Sequence, residues 1–283
     1  MGCPIWSNRD WVGRFFTADA RSQDFLRQYS SVFNTVEGNT TFYGLPKRET
    51  VMRWREESAP DFRFCFKFPR TVSHDLKLSH AGAETREFLD RLEPLGEKLG
   101  PLFLQLSPAF KGEDLPKLRD YLSDLSADFA YAVEVRHRDF FAKGDAETAL
   151  NRLLHERAID RVILDSRALF SAAPEDDDTR EAQRKKPRVP VHAIALGPRP
   201  MVRFIGHPDV TANQTFLQPW VAKISAWIGE GRTPFLFAHT PDNHYAPELA
   251  RVFHTMLARR LSGIGSLPAW PVAGVPDEQM GLL

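Results

Sequence analysis

The feature that most restricts the fold of this chain is a regular alternation of two hydrophobic patterns. Short runs rich in β-branched and aromatic residues are separated by longer stretches in which apolar residues recur every three or four positions. The first pattern is typical of buried β-strands and the second of amphipathic helices, so the sequence predicts repeated βα units. Eight strand-like runs are found, at 3–7, 32–39, 62–68, 101–107, 131–137, 161–166, 201–207 and 234–240.

Eight strands alternating with helices over about 240 residues match the size of a (β/α)8 TIM-type barrel, whereas doubly wound sheets more often have about five to seven strands. We therefore predict an α/β fold, with one TIM-type barrel domain over residues 1–261. The connection 167–200 has no apolar stripe and carries an acidic block followed by a basic block. It is predicted to be an irregular, solvated excursion. Residues 262–283 are rich in Gly and Pro and are predicted to form a C-terminal tail.

The charge balance limits what the protein binds. The chain has 37 basic and 37 acidic side chains, whereas proteins that coat nucleic acid or anionic membranes need a surplus of Lys and Arg. Any anion site must therefore be local. The two cysteines, Cys3 and Cys65, are too few for a disulfide framework, and no apolar run approaches the length of a membrane span. With no recognisable signal peptide or lipid anchor, the expected location is the cytoplasm.

Charged side chains interrupt the strand-like runs, mostly in the second half of each run. In a parallel barrel, alternate strand residues point inward and functional groups gather at the C-terminal strand ends. A charge inside a strand is costly to bury alone, so each of these groups must be paired with another or solvated by a cavity. Three acidic and three basic positions balance each other: Glu37, Glu134 and Asp165 against Lys67, Arg136 and Arg203.

The one-sided placement of these charges predicts a ligand cavity, with internal salt bridges that merely fill the barrel as the alternative. Arg136, Lys67 and Arg203 suit a phosphate or carboxylate group. Glu134 or Glu37 would act as general base, and His74, in the loop after the third strand, would carry a proton. We therefore predict an enzyme of unspecified reaction that binds a small anionic ligand, such as a phosphorylated sugar, a nucleotide or a nucleic-acid end.

Two other classes of function stay open. A non-enzymatic barrel that binds nucleic acid or a protein partner is suggested by aromatic residues near the strand ends and by the basic run 184–188. A metal-dependent hydrolase or isomerase is suggested by His137, His207 and His239, which end three strands. The chain lacks a His-Glu-x-x-His motif, and cations share the inward positions, so no metal ligands are assigned. It also lacks the Gly-rich motifs of dinucleotide and P-loop sites and the Gly-x-Ser-x-Gly elbow, so no nucleotide cofactor is predicted.

Several segments together resemble a known family. The segments 36–46, 62–67, 99–108 and 132–137, with Trp54, are similar in order and content to the YecE-like family, also called domain of unknown function 72. The resemblance covers roughly residues 2–260 and implies a TIM-type barrel, but no activity is established for the family. The opening strand and the end of the last strand depart from the family pattern. The pocket that the resemblance implies is lined by Glu37, Asn39, Tyr43, Lys67, His74, Gln105, Glu134, Arg136 and Arg203.

Overall fold

The computed structural model describes residues 1–274, and seven parallel strands are present in that range. Each strand is four to six residues long, and most of its residues are buried. Burial on both faces explains why the strands read as continuous apolar runs rather than as polar and apolar alternation. The strands are β1 (Thr35–Gly38), β2 (Arg63–Phe66), β3 (Leu102–Gln105), β4 (Tyr131–Glu134), β5 (Asp160–Asp165), β6 (Met201–Ile205) and β7 (Phe235–His239).

Helices follow the strands and cover the outer face of the sheet with the apolar stripes that the sequence predicts. Helix α8, for example, buries Trp220, Ile224 and Trp227. None of the helices within residues 1–274 combines the length and apolarity that crossing a bilayer requires. The α-helices are α1 (Phe25–Ser30), α2 (Arg48–Glu57), α3 (Gly82–Leu92), α4 (Leu115–Ser123), α5 (Asp145–Glu156), α6 (Arg167–Ser171), α7 (Asp177–Lys185), α8 (Gln214–Gly229) and α9 (Ala246–Arg260).

The predicted closed barrel of eight strands is wrong. Strands β3 to β7 form a five-stranded parallel sheet in chain order, shaped as a half-barrel, and β1 and β2 form a separate two-stranded sheet. Only isolated bridges, at Phe64 with Leu99 and at Lys67 with Phe103, connect β2 to the β3 region. The other predicted strand runs are each represented, but the first, 3–7, is not a strand.

The N-terminal segment fails to form a strand for a local reason. Pro4 has no backbone N–H and cannot donate a ladder hydrogen bond. The segment makes single contacts instead. Gly2 forms an isolated bridge with Phe237 of β7, and the carbonyl of Cys3 accepts a hydrogen bond from the backbone N–H of Glu37 at 3.0 Å. Gly2 is required there, because a Cβ atom at this position would lie 1.8 Å from the carbonyl oxygen of Thr35.

The segment 167–200 is more ordered than predicted, because it contains α6 and α7. Asp176 caps the start of α7 by accepting a hydrogen bond from the backbone N–H of Thr179 at 2.6 Å. The acidic block thus begins this helix and the basic block ends it, as the helix dipole favours. Of the predicted tail 262–283, residues 275–283 lie outside the described range, and in the rest Trp270 packs edge-on against Phe15.

An apolar layer fills the concave side of the strands, near their middle. It defines which strand positions point inward, since side chains alternate along each strand. For five members of this layer, the residue two positions further along the chain is polar, and it therefore points to the same side of the sheet. The members of the layer are Cys65, Phe103, Ala132, Val162, Met201, Phe235 and Phe237.

Candidate functional site

Six polar residues form a layer directly above the apolar one, at the C-terminal edge of the strands. All are at least nine-tenths buried. Each occupies an inward position of a strand or the residue directly after a strand, so the alternation of the backbone brings them together from distant parts of the chain. They are Glu37 on β1, Lys67 after β2, Gln105 on β3, Glu134 on β4, Arg203 on β6 and His239 on β7.

Arg203 is the centre of this layer and binds both buried carboxylates. Its Nε and Nη2 atoms donate to the two oxygens of Glu37, at 2.8 and 2.7 Å, in a bidentate pair. Its Nη1 atom donates to Glu134 Oε2 at 2.6 Å. The planar guanidinium group has the geometry for such paired contacts, which a lysine lacks.

Further donors satisfy the remaining carboxylate positions. Glu37 also accepts a hydrogen bond from Asn39 Nδ2 at 2.7 Å and lies 3.1 Å from His239 Nε2. Glu134 Oε1 accepts from Gln105 Nε2 at 2.7 Å and from Arg136 Nε at 2.8 Å. Both carboxylates are therefore saturated with donors, as buried charges must be.

The donors determine the protonation of the two acids. Burial alone would raise the pKa of Glu134, but Arg203 and Arg136 lower it to about 2. For Glu37, burial is likewise outweighed, and Arg203 and His239 hold its pKa well below the usual range. Burial lowers the pKa of His239 to about 4 despite the nearby carboxylate of Glu37, so this imidazole is neutral at pH 7. The layer thus holds two ionised carboxylates at neutral pH.

A cavity of about 700 Å³ opens above this layer. Its volume falls within the range of roughly 300–1,000 Å³ that small-molecule sites occupy. Six cationic side chains line it, whereas its acidic lining consists of Asp178 and Glu181 from α7. Glu37 and Glu134 lie beneath the cavity and do not line it. The cationic lining residues are Lys67, Arg70, Arg136, Lys185, Lys186 and Arg203.

Two lysines of the cavity have amines whose pKa lies well below the ordinary value for lysine. Burial lowers the pKa of Lys67 to about 7, with help from Arg203 and Arg136, while Glu134 opposes the shift. Burial also lowers the pKa of Lys186 to about 8, and Arg203 adds to the effect. Perturbed lysines in a cleft mark candidate functional groups, because burial and like charges are how proteins make amines reactive.

His74 and two aromatic residues form one wall of the cavity. Lys67 Nζ lies 3.5 Å from the centroid of the Phe42 ring, and His74 packs edge-on against the same ring. His74 Nδ1 is 2.8 Å from the hydroxyl of Ser73, within a π-helical turn over Thr71–Asp75. Burial and then Lys67 lower the pKa of His74 below its ordinary value. Tyr43 is 84% exposed and lies at the rim.

The structure brings the nine residues predicted for the site to the same edge of the strands. Seven line the cavity: Asn39, Tyr43, Lys67, His74, Gln105, Arg136 and Arg203. The other two, Glu37 and Glu134, lie in the layer beneath. Asp165, which the charge balance had placed with them, lies elsewhere. Its carboxylate pairs with Arg167 at 2.8 Å and accepts a hydrogen bond from Trp220 at 2.7 Å, because its position on β5 faces α8 instead of the concave side.

The three histidines considered as metal ligands are not clustered. His137 and His207 each accept a hydrogen bond from a backbone N–H two residues on, at 3.3 and 2.9 Å, and so hold the turns that follow β4 and β6. His239 alone reaches the cavity, beside Arg203. Residues 1–274 contain no group of three or more His, Cys, Asp or Glu arranged to bind a metal ion.

Sequence reasoning missed the contribution of the segment 167–200. Helix α7 and the residue after it supply Asp178, Glu181, Ala182, Lys185 and Lys186 to the cavity lining. The basic run 184–188 was visible in the sequence, but no periodic pattern indicated where it would fold. His239 was noted as a polar residue of the last strand and as a possible metal ligand but was not included in the predicted pocket, although its alternation with Phe237 and Phe235 indicated an inward position.

Comparison with known proteins assigns a family. The model of the family described as "Protein of unknown function DUF72" matches residues 1–272. The UPF0759 protein YecE of Escherichia coli K12 is 47% identical over 271 residues, covering 96% of this chain and 97% of that protein. The protein of the same name from E. coli O157:H7 is also 47% identical, with the same coverage. The resemblance predicted from the sequence motifs is confirmed.

Solved structures share the fold. A DUF72 family protein from Enterococcus faecalis V583 superposes with a TM-score of 0.67 at 19% identity, covering 90% of this chain and 94% of that one. A DUF72 family protein from Thermotoga maritima MSB8 gives a TM-score of 0.68 at 22% identity, covering 90% and 97%. At these identities the similarity extends to the fold alone.

Proposed function

The chain belongs to the DUF72 family, and we propose that it binds a small anionic ligand in the cavity at the C-terminal edge of its strands. The ligand carries a phosphate or carboxylate group. The observation that supports this most directly is the charge of the cavity: six cationic side chains line it, against two carboxylates in its lining and two in the layer beneath. The cations are Lys67, Arg70, Arg136, Lys185, Lys186 and Arg203, and the carboxylates are Asp178 and Glu181 in the lining and Glu37 and Glu134 beneath it.

Arg136 is the cation best placed to hold the anion. Its Nε atom is bound to Glu134, but within residues 1–274 its Nη atoms have no hydrogen-bond partner, and the side chain is 15% exposed toward the cavity. A guanidinium group held by one edge presents its other N–H donors in a fixed direction, which favours a planar or tetrahedral oxyanion. Lys186 would meet the same anion from the α7 side of the cavity.

The surroundings favour chemistry in addition to binding. Glu134, Glu37 and His74 remain our candidates for catalysis, with distinct roles. The two carboxylates are weak bases at neutral pH because their pKa values are lowered, so we propose that they chiefly fix the cations and balance charge. His74, with its ring nitrogen against Ser73 and its pKa lowered, is neutral near pH 7 and is therefore the proposed proton carrier.

The basic run 184–188 supports a small ligand better than a nucleic-acid strand. Lys185 and Lys186 turn into the cavity, whereas Arg188 stacks on Phe170. The run therefore does not form the continuous basic stripe that a phosphate backbone needs. Both cysteines are free thiols in the core, which agrees with the reducing cytoplasm we propose as the location.

Calorimetric titration with inorganic phosphate, ribose 5-phosphate and adenosine monophosphate tests the proposal, with ribose and adenosine as uncharged controls. Arg136→Gln should weaken binding of the phosphorylated compounds by about 10- to 100-fold, the value of a charge-assisted hydrogen bond. Arg138→Gln is the matched control, because this exposed arginine two residues further on does not line the cavity. Equal loss in both variants, or equal binding of charged and uncharged compounds, would refute the anion site.

A further inference from the structure

We infer that Lys67 is a nucleophile that forms a protonated Schiff base with a carbonyl group of the bound anion. The substrate class is then an aldehyde or ketone that carries a phosphate or carboxylate group. This inference rests on the proposed anion binding and specifies the chemistry of the same cavity. It follows from the position of the amine, its hydrogen-bond partner and the charges around it.

The amine of Lys67 is buried in the cavity wall without a neutralising carboxylate. Lys67 follows β2 at the C-terminal edge of the strands and is 8% exposed. Within residues 1–274 no carboxylate oxygen lies within 4.0 Å of Nζ, although the guanidinium groups of Arg136 and Arg203 both have such partners. A lysine that served only to balance Glu134 would be expected to contact it directly, as Arg136 does at 2.8 Å.

Gln105 holds the amine in a defined orientation. Its Nε2 atom donates to Glu134 at 2.7 Å, and an ionised carboxylate can only accept. The amide oxygen of Gln105 must therefore face Lys67, whose Nζ donates to it at 2.6 Å. This neutral acceptor directs one N–H of the amine and leaves the lone pair of the uncharged form free to face the cavity. The Phe42 ring, 3.5 Å from Nζ, limits access of water on one side.

Burial is the main reason why the uncharged form of the Lys67 amine is favoured. Arg203 on β6 and Arg136 after β4 add to this effect of burial, whereas Glu134 and Glu37 oppose it. His74 packs against the same Phe42 ring that lies 3.5 Å from Lys67 Nζ. A desolvated lysine beside other cations is a recognised way of making an amine nucleophilic near neutral pH. At pH 7.5 a lysine with a pKa of about 7 is roughly three-quarters uncharged, against about one in a thousand for an ordinary lysine.

The covalent step balances without a further reactant. The ammonium group of Lys67 first gives a proton to His74. The lone pair of Nζ then attacks the carbonyl carbon, a C–N bond forms, the carbonyl electron pair moves to oxygen, and the oxygen takes that proton from His74. His74 removes a proton from the nitrogen and returns it to the hydroxyl group, the C–O bond breaks, and water leaves. Overall, an ammonium group and a carbonyl compound give a protonated imine and water. Arg136 and Lys186 hold the anionic group of the substrate during this exchange.

Reductive trapping tests the inference on the full chain. The probe is pyridoxal 5′-phosphate, an aldehyde with a phosphate group, and pyridoxal is the control without the phosphate. Cyanoborohydride at pH 7.5 reduces any imine to a stable secondary amine, and peptide mass spectrometry identifies the labelled lysine. We expect Lys67 to be labelled at least about tenfold faster than the surface lysines, because its larger uncharged fraction outweighs its lower basicity. Pyridoxal should label it more slowly, and inorganic phosphate should protect it.

Two variants make the result specific. Lys111→Met, at an exposed lysine that does not line the cavity, should leave the label on Lys67 unchanged, whereas Lys67→Met should abolish the fast phase. Fast labelling of Lys186 instead, or equal labelling of all lysines, would overturn the assignment of the nucleophile. If phosphate binds calorimetrically but Lys67 is not labelled, the Schiff base is refuted and the anion site stands. If phosphate neither binds nor protects, both proposals fall.

Discussion

Replacing Lys67 by methionine should stabilise the protein while destroying the proposed nucleophile. Methionine keeps the length of the side chain and removes the amine. The folded protein lowers the pKa of this amine from 10.5 to about 7. An unfolded chain therefore binds a proton at Lys67 over a pH range in which the folded chain does not, and this difference destabilises the folded state as the pH falls. A shift of this size corresponds to about 5 kcal/mol at pH 6, at 1.36 kcal/mol per pKa unit.

The expected net gain is smaller than this upper value. Methionine removes the hydrogen bond to Gln105, worth about 1 kcal/mol, although water in the cavity can reach the freed amide oxygen. Local relaxation reduces the electrostatic part further. We expect Lys67→Met to raise the free energy of unfolding by about 2–4 kcal/mol at pH 6.

The pH dependence is the decisive measurement. The destabilisation by Lys67 is complete below pH 7 and disappears as the pH rises toward 10.5, so the gain from the variant should shrink by about 2.5 kcal/mol between pH 6 and pH 9. Urea unfolding of both proteins at these two pH values gives the comparison. A variant that is less stable at both pH values, or a gain that does not change with pH, would refute the reasoning.

Lys98 offers a matched control. It is also 8% exposed, but its amine donates to the carbonyls of Arg55 and Ser58, at 2.7 and 2.8 Å, and to the hydroxyl of Ser58 at 3.0 Å. Lys98→Met leaves these acceptors without their donor, and a buried unpaired acceptor costs about 1–3 kcal/mol. This variant should therefore lose stability at pH 6, where Lys67→Met gains it.

Three other predictions follow from the same structure. Phosphate affinity should fall at least about tenfold between pH 7 and pH 9 in calorimetric titrations, because Lys67 and Lys186, with pKa values of about 7 and 8, lose their charge over this range. An affinity that does not change with pH would contradict this prediction. Burial lowers the pKa of His239 to about 4, so up to about 3 kcal/mol of stability should be lost as the pH falls from 6.5 to 4, and His239→Gln should flatten this part of the unfolding profile. Asp165→Asn should cost about 1–3 kcal/mol of stability in urea unfolding, because it weakens the buried hydrogen bond from Trp220 and the partly exposed ion pair with Arg167, yet leave phosphate affinity unchanged.

The proposed chemistry explains why the protein retains a destabilising residue. A methionine at position 67 would suit the burial of this site better than a lysine. Natural proteins commonly keep such strained groups where activity requires them, at the expense of stability. The stability gain and the loss of trapping in the same variant would together link the electrostatic cost of Lys67 to its reactivity.

The sequence by itself determined the βα alternation, the family and most of the residues at the candidate site. Strand and helix periodicity depends on neighbours close in the chain, so seven of the eight predicted strand runs could be located without coordinates. Strand alternation likewise predicted that residues such as Glu134 and Arg203 share one side with the apolar layer beneath them.

Only the tertiary structure decided how the strands associate and which groups meet. Closure of a sheet depends on hydrogen bonds between distant segments, and a segment with proline at position 4 makes too few of them to form the predicted first strand. Asp165 faces α8 because it lies three positions after the inward-facing Val162 on β5, and alternate strand residues point to opposite sides. The path of the segment 167–200 brings Lys186 into the cavity, and no local pattern could predict that contact, because it depends on the packing of α7 against the strands.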